Sequence, residues 1–529
     1  MARIALTLAL AFWPGLYASA QPRTTGANPP AAPPSLVVLI TVDQLRGDYL
    51  NRFASQLSGG LARLMRGGAW FTNAHHDHAI TETAPGHATL LAGRFPRSLG
   101  IADNLAGVQD ETAPILEAPA VPGASPVRFQ GTTLVDWLRA RDSSSRTLSV
   151  SMKDRGAILP VGRSRADVYW YLTDGRFTTS RYYRDSLPSW VKRFNARRLP
   201  QGYAGKSWVP LLPDSAYPEA DSVSVESAGI EYTFPHRLPS DSLAAADRIR
   251  LTPWMDEITL ALAIEGLCEL GLGEGKRTDV LAVSLSATDI IGHAYGPDSK
   301  EIHDQVLRLD RMLGTFLDSL FRLRDSARVA IVLTADHGVG TIPEIAARTI
   351  RPPPQRVSLS QPVANLRARL RALGVDTGAV TAIYRTVKVD RAAVSTKKAS
   401  IDAVLDTLAR EISQVPGVAR VDRFRDFLDA DTLTQANARR WSHQFPKADD
   451  VELVITLTPF SIFPGLTATH GSAYDYDTHV PLIFFGPAFR AGRYPGVVRT
   501  VDLAPTLARI TGVTPSEKLD GIILVQALR

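Results

Sequence analysis

Three aspartates close runs of aliphatic residues: Asp43 follows SLVVLITV, Asp289 follows DVLAVSLSAT, and Asp336 follows RVAIVLTA. A carboxylate at the end of a buried strand is costly unless it is paired or held by a cation. Three such endings point to a shared metal centre more than to three unrelated caps. Histidines accompany two of them. Asp289-x-x-x-His293 places both groups on one face, a helical turn apart, which suits a single metal ion. Asp336-His337 sits where the strand opens into Gly338, so the adjacent side chains need not point in opposite directions.

The stretch Thr81-Glu82-Thr83-Ala84-Pro85-Gly86-His87-Ala88-Thr89 supplies a hydroxyl. Pro85 marks the first turn of an apolar helix, which puts Thr83 at or near its N-cap. A plain capping threonine is one reading. The other is a nucleophile placed where free N–H groups and the helix dipole hold phosphate oxygens, its weak hydroxyl activated by a metal ion. His87, one turn further on, reads as a packing or supporting histidine. His75, His76 and His78 have no spacing that joins them to the strand ends and read as surface or supporting residues. Cys268, within AIEGLCEL, reads as core.

The elements that position these groups alternate. β-branched runs recur at 35–42, 147–151, 280–285 and 329–334, as expected of parallel strands buried on both faces. Between them lie helical patterns at 61–65, 256–270 and 304–323, the last with Val306, Leu309, Leu313, Phe316 and Leu320 on one stripe. This is the pattern of an α/β fold, a doubly wound, mostly parallel sheet flanked by helices, with its active site beyond the carboxyl ends of the strands. Two stretches break the rhythm, at about 160–250 and 350–450, and are expected to be inserted segments that cap or flank the core. The α/β domain as a whole is expected to span 35–529.

A chain of 529 residues, 45% hydrophobic and 21% charged, is neither a small module nor disordered. The formal charge of +6 is spread along it, a hint of anionic substrates but not a nucleic-acid signature. Residues 1–20 have an early Arg3, a short apolar run and Ala18-Ser19-Ala20 before Gln21, which reads as a signal peptide cleaved after Ala20. Residues 21–34 read as a flexible Pro-rich leader. The mature chain is therefore expected to be periplasmic or secreted, without membrane insertion. A single cysteine excludes an intrachain disulfide.

TVDQLRGD, TETAPGHATLLAG, SATDIIGHAYGP, TADHG, THGSAYDYDTHVPLIFFGP and TVDLAPTLARITG, in this order, resemble the alkaline phosphatase superfamily. The likeness is to its threonine-nucleophile branch, which includes nucleotide pyrophosphatase/phosphodiesterases and single-chain periplasmic alkaline phosphatases. The resemblance implies two Zn2+, one held by Asp43, Asp336 and His337 with Thr83 bound as nucleophile, the other by Asp289, His293 and His470. It also implies that Asn104 contacts a phosphate oxygen. His479 in DTHVPL rivals His470 for the last position. SMKDRGAILPVGR resembles the periplasmic phosphatases, which implies that Lys153 and Arg155 contact the phosphoryl group. In an extended segment both would face one side, with Asp154 facing away. Sulfatases share the scaffold but need Cys or Ser in C/S-x-P-x-R, which Thr83-Ala84-Pro85-Gly86-His87 does not offer.

The expected activity is metal-dependent hydrolysis of phosphate monoesters through a phosphothreonine. A phosphodiesterase on the same scaffold and a non-catalytic secreted metal-binding homologue remain the alternatives. Small phosphate esters are the expected partners and nucleic acid is not. The oligomeric state is left open, with a monomer as the working expectation.

Overall fold

The strands follow the aliphatic runs closely. In chain order they are β1 (Leu36–Val42), β2 (Ala69–His75), β3 (Thr147–Ser151), β4 (Asp167–Tyr171), β5 (Phe177–Thr178), β6 (Ser207–Trp208), β7 (His236–Arg237), β8 (Asp279–Leu285) and β9 (Val329–Thr334). They continue with β10 (Val380–Ile383), β11 (Thr386–Val389), β12 (Val418–Arg423), β13 (Val451–Leu457), β14 (His479–Phe485), β15 (Gly492–Tyr494) and β16 (Val498–Arg499). The computed structural model describes residues 32–105, 107–395, 400–430, 432–447 and 449–529. The signal peptide and nearly all of the leader expected from the sequence lie outside these residues. No helix among the described residues is long and apolar enough to cross a membrane.

The main sheet runs β15-β2-β14-β9-β1-β8-β3-β4-β5, with β16 beside β2. Its centre is parallel: β1 pairs with β8 and β9, and β3 with β8 and β4. β14 enters antiparallel between β9 and β2. Every residue of β1, β3, β8 and β9 is buried, which is why these strands read as continuous rather than alternating apolar runs.

The period of two divides each strand between two cores. Val38, Ile40 and Val42 pack with Leu262, Val306, Leu309 and Leu313, from the helices Trp254–Glu269 and Lys300–Leu323. Val37 and Leu39 pack with Ala84, Ala88 and Leu91 of the helix Thr83–Ala92 and with Leu503 and Leu507 of Leu503–Thr511. Helices thus cover both faces of a mostly parallel sheet.

Two details depart from the sequence reading, at 167–178 and at Cys268, and a third, at 380–457, gives form to the expected insertion at about 350–450. β4 and β5, at 167–178, belong to the main sheet, so the stretch from about 160 is not wholly a segment set apart from it. Residues 380–457 build a second, antiparallel sheet, β10-β11-β13-β12, around a core of its own that includes Val387, Leu405, Leu408 and Leu453. Cys268 is exposed rather than core. In the helix Trp254–Glu269 the buried stripe runs through Thr259, Leu262, Ala263, Gly266 and Leu267, and Cys268 shares the outward face with Ala261 and Glu265.

Candidate functional site

The carboxyl ends of β1, β3, β8 and β9 lead to one cluster, as a doubly wound sheet requires of its site. Asp43 follows β1, Lys153 follows β3, and Asp336 and His337 follow β9. β8 leads into the helix Ala287–Tyr295, which carries Asp289 and His293 on one face, with His293 Nε2 3.3 Å from Asp289 Oδ1. His470 arrives from the loop before β14, its Nε2 3.6 Å from Asp289 Oδ1 and its ring stacked on that of His337 at 3.5 Å between centroids. His337 Nε2 lies 3.4 Å from Asp43 Oδ1 and 3.5 Å from Asp336 Oδ2.

The three histidines share one arrangement. Each Nδ1 bonds a backbone carbonyl: His293 to Ala468 at 2.8 Å, His337 to Gly338 at 2.9 Å, and His470 to Thr81 at 2.7 Å. That bond fixes the proton on Nδ1 and leaves Nε2 with its lone pair turned to the carboxylates, the usual state of a metal-ligating imidazole. Burial holds His337 and His470 below the ordinary imidazole range, so both stay in the neutral, ligating form. For His293 burial acts the same way, but Asp289 outweighs it and raises the group.

The carboxylates want a cation. Asp43 Oδ1 and His337 Nε2 are buried without a hydrogen-bond partner among the described residues, while Asp43 Oδ2 is met by the Lys153 ammonium and Asp336 Oδ2 by His87 Nδ1 at 3.1 Å. Burial, followed by repulsion from Asp289 and Asp336, pushes the Asp43 carboxyl well above the usual range. The Lys153 ammonium lies 2.6 Å from both Asp43 Oδ2 and Asp289 Oδ2. Asp43, Asp336 and His337 form one group whose ligand atoms are close enough to share an ion; Asp289, His337 and His470 form another. The donors fit a hard or borderline divalent metal, and a cation would satisfy Asp43 Oδ1 and His337 Nε2, which lie buried 3.4 Å apart.

Thr83 opens the helix Thr83–Ala92, with Glu82 as N-cap. Its hydroxyl is buried and 3.4 Å from Lys153 Nζ. Asn104 is held beside it: its Oδ1 accepts from the Ala84 N–H at 2.9 Å, and its own N–H donates to Glu82 Oε2 at 2.8 Å. Lys153 and Arg155 do not lie on an extended strand. A short helix, Asp154–Ile158, starts between them, with Lys153 as its extended N-cap. Arg155 nonetheless stays close enough to Lys153 and Glu82 to act on both their charges, and its buried Nε has no partner.

His479 lies outside the cluster: it bonds the Thr72 carbonyl at 3.0 Å, stacks on His75, and fills the space over Gly47. The surface reading fails for His76 and His78, which are both buried. His76 Nε2 meets the carbonyl of Ala335 at 2.9 Å and so steadies the residue before Asp336. His87 is a supporting residue: its Nδ1 is 3.1 Å from Asp336 Oδ2 and its Nε2 2.9 Å from Ser284 Oγ.

Sequence reasoning missed Gln44. In a left-handed conformation (φ 66°) it donates its backbone N–H to Asp336 Oδ1 at 3.1 Å and its Nε2–H to Asp289 Oδ1 at 2.8 Å, joining the two halves of the cluster. Gly86 was missed as well. A Cβ there would sit 2.3 Å from the Asp336 carbonyl oxygen, so only glycine lets the Thr83 helix lie against the end of β9. Helix propensity favours alanine over glycine by about 0.5–1 kcal/mol, whereas overpacking costs about 1–3 kcal/mol. Gly86→Ala is therefore expected to lower the melting temperature and, by displacing Thr83 from the cluster, to lower activity further. A variant as stable as the parent would contradict this.

Fold and site together define a doubly wound α/β protein with a buried carboxylate–imidazole cluster beside a helix-initiating threonine. The family described as type I phosphodiesterase / nucleotide pyrophosphatase matches residues 37–443. The chain is 30% identical over 500 residues to alkaline phosphatase PafA of Elizabethkingia meningoseptica, covering 90% of this chain and 91% of that protein. It is 30% identical over 543 residues to alkaline phosphatase PhoV of Synechococcus elongatus, covering 97% of each. The crystal structure of wild-type PafA is similar with a TM-score of 0.86 at 28% identity, covering 95% of this chain and 100% of that one. The chain belongs to the type I phosphodiesterase / nucleotide pyrophosphatase family of the alkaline phosphatase superfamily.

Proposed function

We propose that the chain is an exported, metal-dependent phosphate monoester hydrolase acting through a phosphothreonine at Thr83. The observation that carries this reading is the convergence, beside the Thr83 hydroxyl, of three carboxylates and three histidines whose Nε2 atoms are aimed inward. Kinship with proteins named alkaline phosphatase over nearly the whole chain supports it. So do the signal-like residues 1–20 for export.

Asp43, Asp336 and His337 would hold one divalent ion and Asp289, His293 and His470 a second, with Zn2+ the metal that suits this donor set. Such ions supply Lewis acidity, and they acidify bound hydroxyl groups and water. The chain's own residues do the rest. Thr83 Oγ gives up its proton and attacks phosphorus; the P–O bond to the leaving group breaks and the alcohol departs. Asn104, Lys153 and Arg155 orient the phosphoryl oxygens and oppose their charge as it redistributes. Water then attacks the phosphothreonine, releasing inorganic phosphate and restoring the hydroxyl. The apolar packing beneath Thr83 keeps the helix N-terminus fixed, so little reorganisation accompanies the reaction.

Hydrolysis of phenyl phosphate that is abolished by chelator and restored by Zn2+ is the expected result. A protein that binds zinc without turnover would favour the non-catalytic alternative. The metal assignment has its own check. Asp289→Ala and His293→Ala are each expected to lose about one metal equivalent, together with most of the activity, because each removes a direct ligand. Full occupancy by elemental analysis in both variants would refute it.

A further inference from the structure

The helix Ala287–Tyr295 carries Asp289 and His293, yet its own sequence does not cap it. Ser286, at the N-cap, makes no side-chain bond to the first turn, and its Oγ lies instead 3.4 Å from Ser151 Oγ. A buried helix start needs acceptors for its free N–H groups. Here one comes from another helix. Asp256, fully buried near the start of Trp254–Glu269, accepts from the Ala287 N–H through Oδ1 at 3.0 Å. Its Oδ2 accepts from Gln305 Nε2 at 3.0 Å, and the same Nε2 lies 3.1 Å from Thr288 Oγ1. Gln305 is itself fully buried, on the helix Lys300–Leu323. Three helices thus meet at the residues just ahead of Asp289.

Burial pushes the Asp256 carboxyl up to about 7, against the pull of hydrogen bonds from Ala287, Gln305 and Ser286, with no cation among them. A buried acid without an ion pair is costly as packing. The positive end of the helix Ala287–Tyr295 offsets part of that cost, since it favours a carboxyl oxygen. We propose that Asp256 is a positioning residue for the second half of the cluster, holding the start of this helix and thereby setting where Asp289 and His293 stand. The other contacts on these two act further along. Gln44 Nε2 and Lys153 Nζ meet the Asp289 carboxylate, and the Ala468 carbonyl meets His293 Nδ1. Each of those turns a side chain, whereas Asp256 fixes the backbone that carries both.

The consequence for metal binding rests on the two-ion reading, and it is selective, because Asp43, Asp336 and His337 follow β1 and β9 rather than this helix. The test titrates Zn2+ into metal-free protein by calorimetry. In Asp256→Ala one equivalent is expected to bind as in the parent and the other about 10–100-fold more weakly, the scale seen when the support of a ligand is removed. In a His293→Ala background, which lacks the affected equivalent, Asp256→Ala is expected to change nothing further. Asp256→Asn keeps an acceptor of the same shape for the Ala287 N–H and is expected to restore the weakened equivalent. Equal loss at both equivalents, parent affinity at both in Asp256→Ala, or no recovery in Asp256→Asn overturns the proposal.

Hydrogen exchange of the metal-free protein is a readout that needs no ion. Amides of 287–295 are expected to exchange faster in Asp256→Ala and at the parent rate in Asp256→Asn, while those of the helix Thr83–Ala92 are unchanged. Parent exchange over 287–295 in Asp256→Ala counts against the proposal as firmly as an unchanged titration. Should alanine at 256 prevent folding, Gln305→Leu takes its place, similar in size but without the bonds to Asp256 and Thr288. The same selective loss is expected of it, and equal loss or none overturns the proposal. A parent that takes up fewer than two equivalents would sink the two-ion reading, and exchange over 287–295 would then decide the role of Asp256.

Discussion

Thr83→Ala is expected to lower turnover by about 10⁶-fold, the scale seen when a covalent nucleophile is removed, while the protein keeps its fold and both metal equivalents. The two halves of the expectation have separate causes. Alanine is at least as good a helix former as threonine at the first helical position, and among the described residues the hydroxyl's one hydrogen bond is the 3.4 Å contact with Lys153 Nζ, so little stability is at stake. Chemistry, by contrast, loses the atom that takes the phosphoryl group in the proposed mechanism. Acid quench of the parent with a labelled phosphate ester should leave label on Thr83 and on nothing else, and the variant should trap none. Label on another residue, or a variant that retains a tenth of the parent rate, would remove Thr83 from the role.

The central strands were legible because burial on both faces leaves no polar alternation. A run such as LVVLITV has few other stable fates, and an aspartate immediately after it has to be explained by a partner. Asp289 and His293 were legible because helical periodicity alone puts them on one face. What stayed hidden depends on conformations that carry no local signal. Gln44 bridges the carboxylates only because its backbone is left-handed, a state that a non-glycine residue seldom adopts. The helix that begins at Asp154 lacks a conventional capping residue at Lys153. The antiparallel entry of β14 is settled by its neighbours β9 and β2, not by its own apolar run. Cys268 shows the reverse error: an apolar neighbourhood in sequence suggested burial, although its angular position on the helix points outward.

Lys153→Ala combined with Arg155→Ala is expected to cost phosphate monoester hydrolysis about 10²–10⁴-fold, from two charge-assisted contacts of about 1.5–3 kcal/mol each, and to cost diester hydrolysis far less. A monoester presents a dianionic group whose additional oxygen needs a cationic partner, whereas a diester fills that position with an organic substituent. Contacts that strengthen as the transition state forms raise the rate selectively, so the two substrates should part company in kcat/KM. Lys153 meets the geometric requirement, since its ammonium already reaches within 3.4 Å of the Thr83 hydroxyl. Arg155 has an unpartnered buried Nε and acts on the charges of Lys153 and Glu82. Because Lys153 also touches Asp43 and Asp289, metal content must be measured in the double variant. With both metals retained and only monoester turnover lost, the cations act on the substrate. With both activities falling equally, they serve the carboxylates instead, and the phosphodiesterase reading of this site takes precedence.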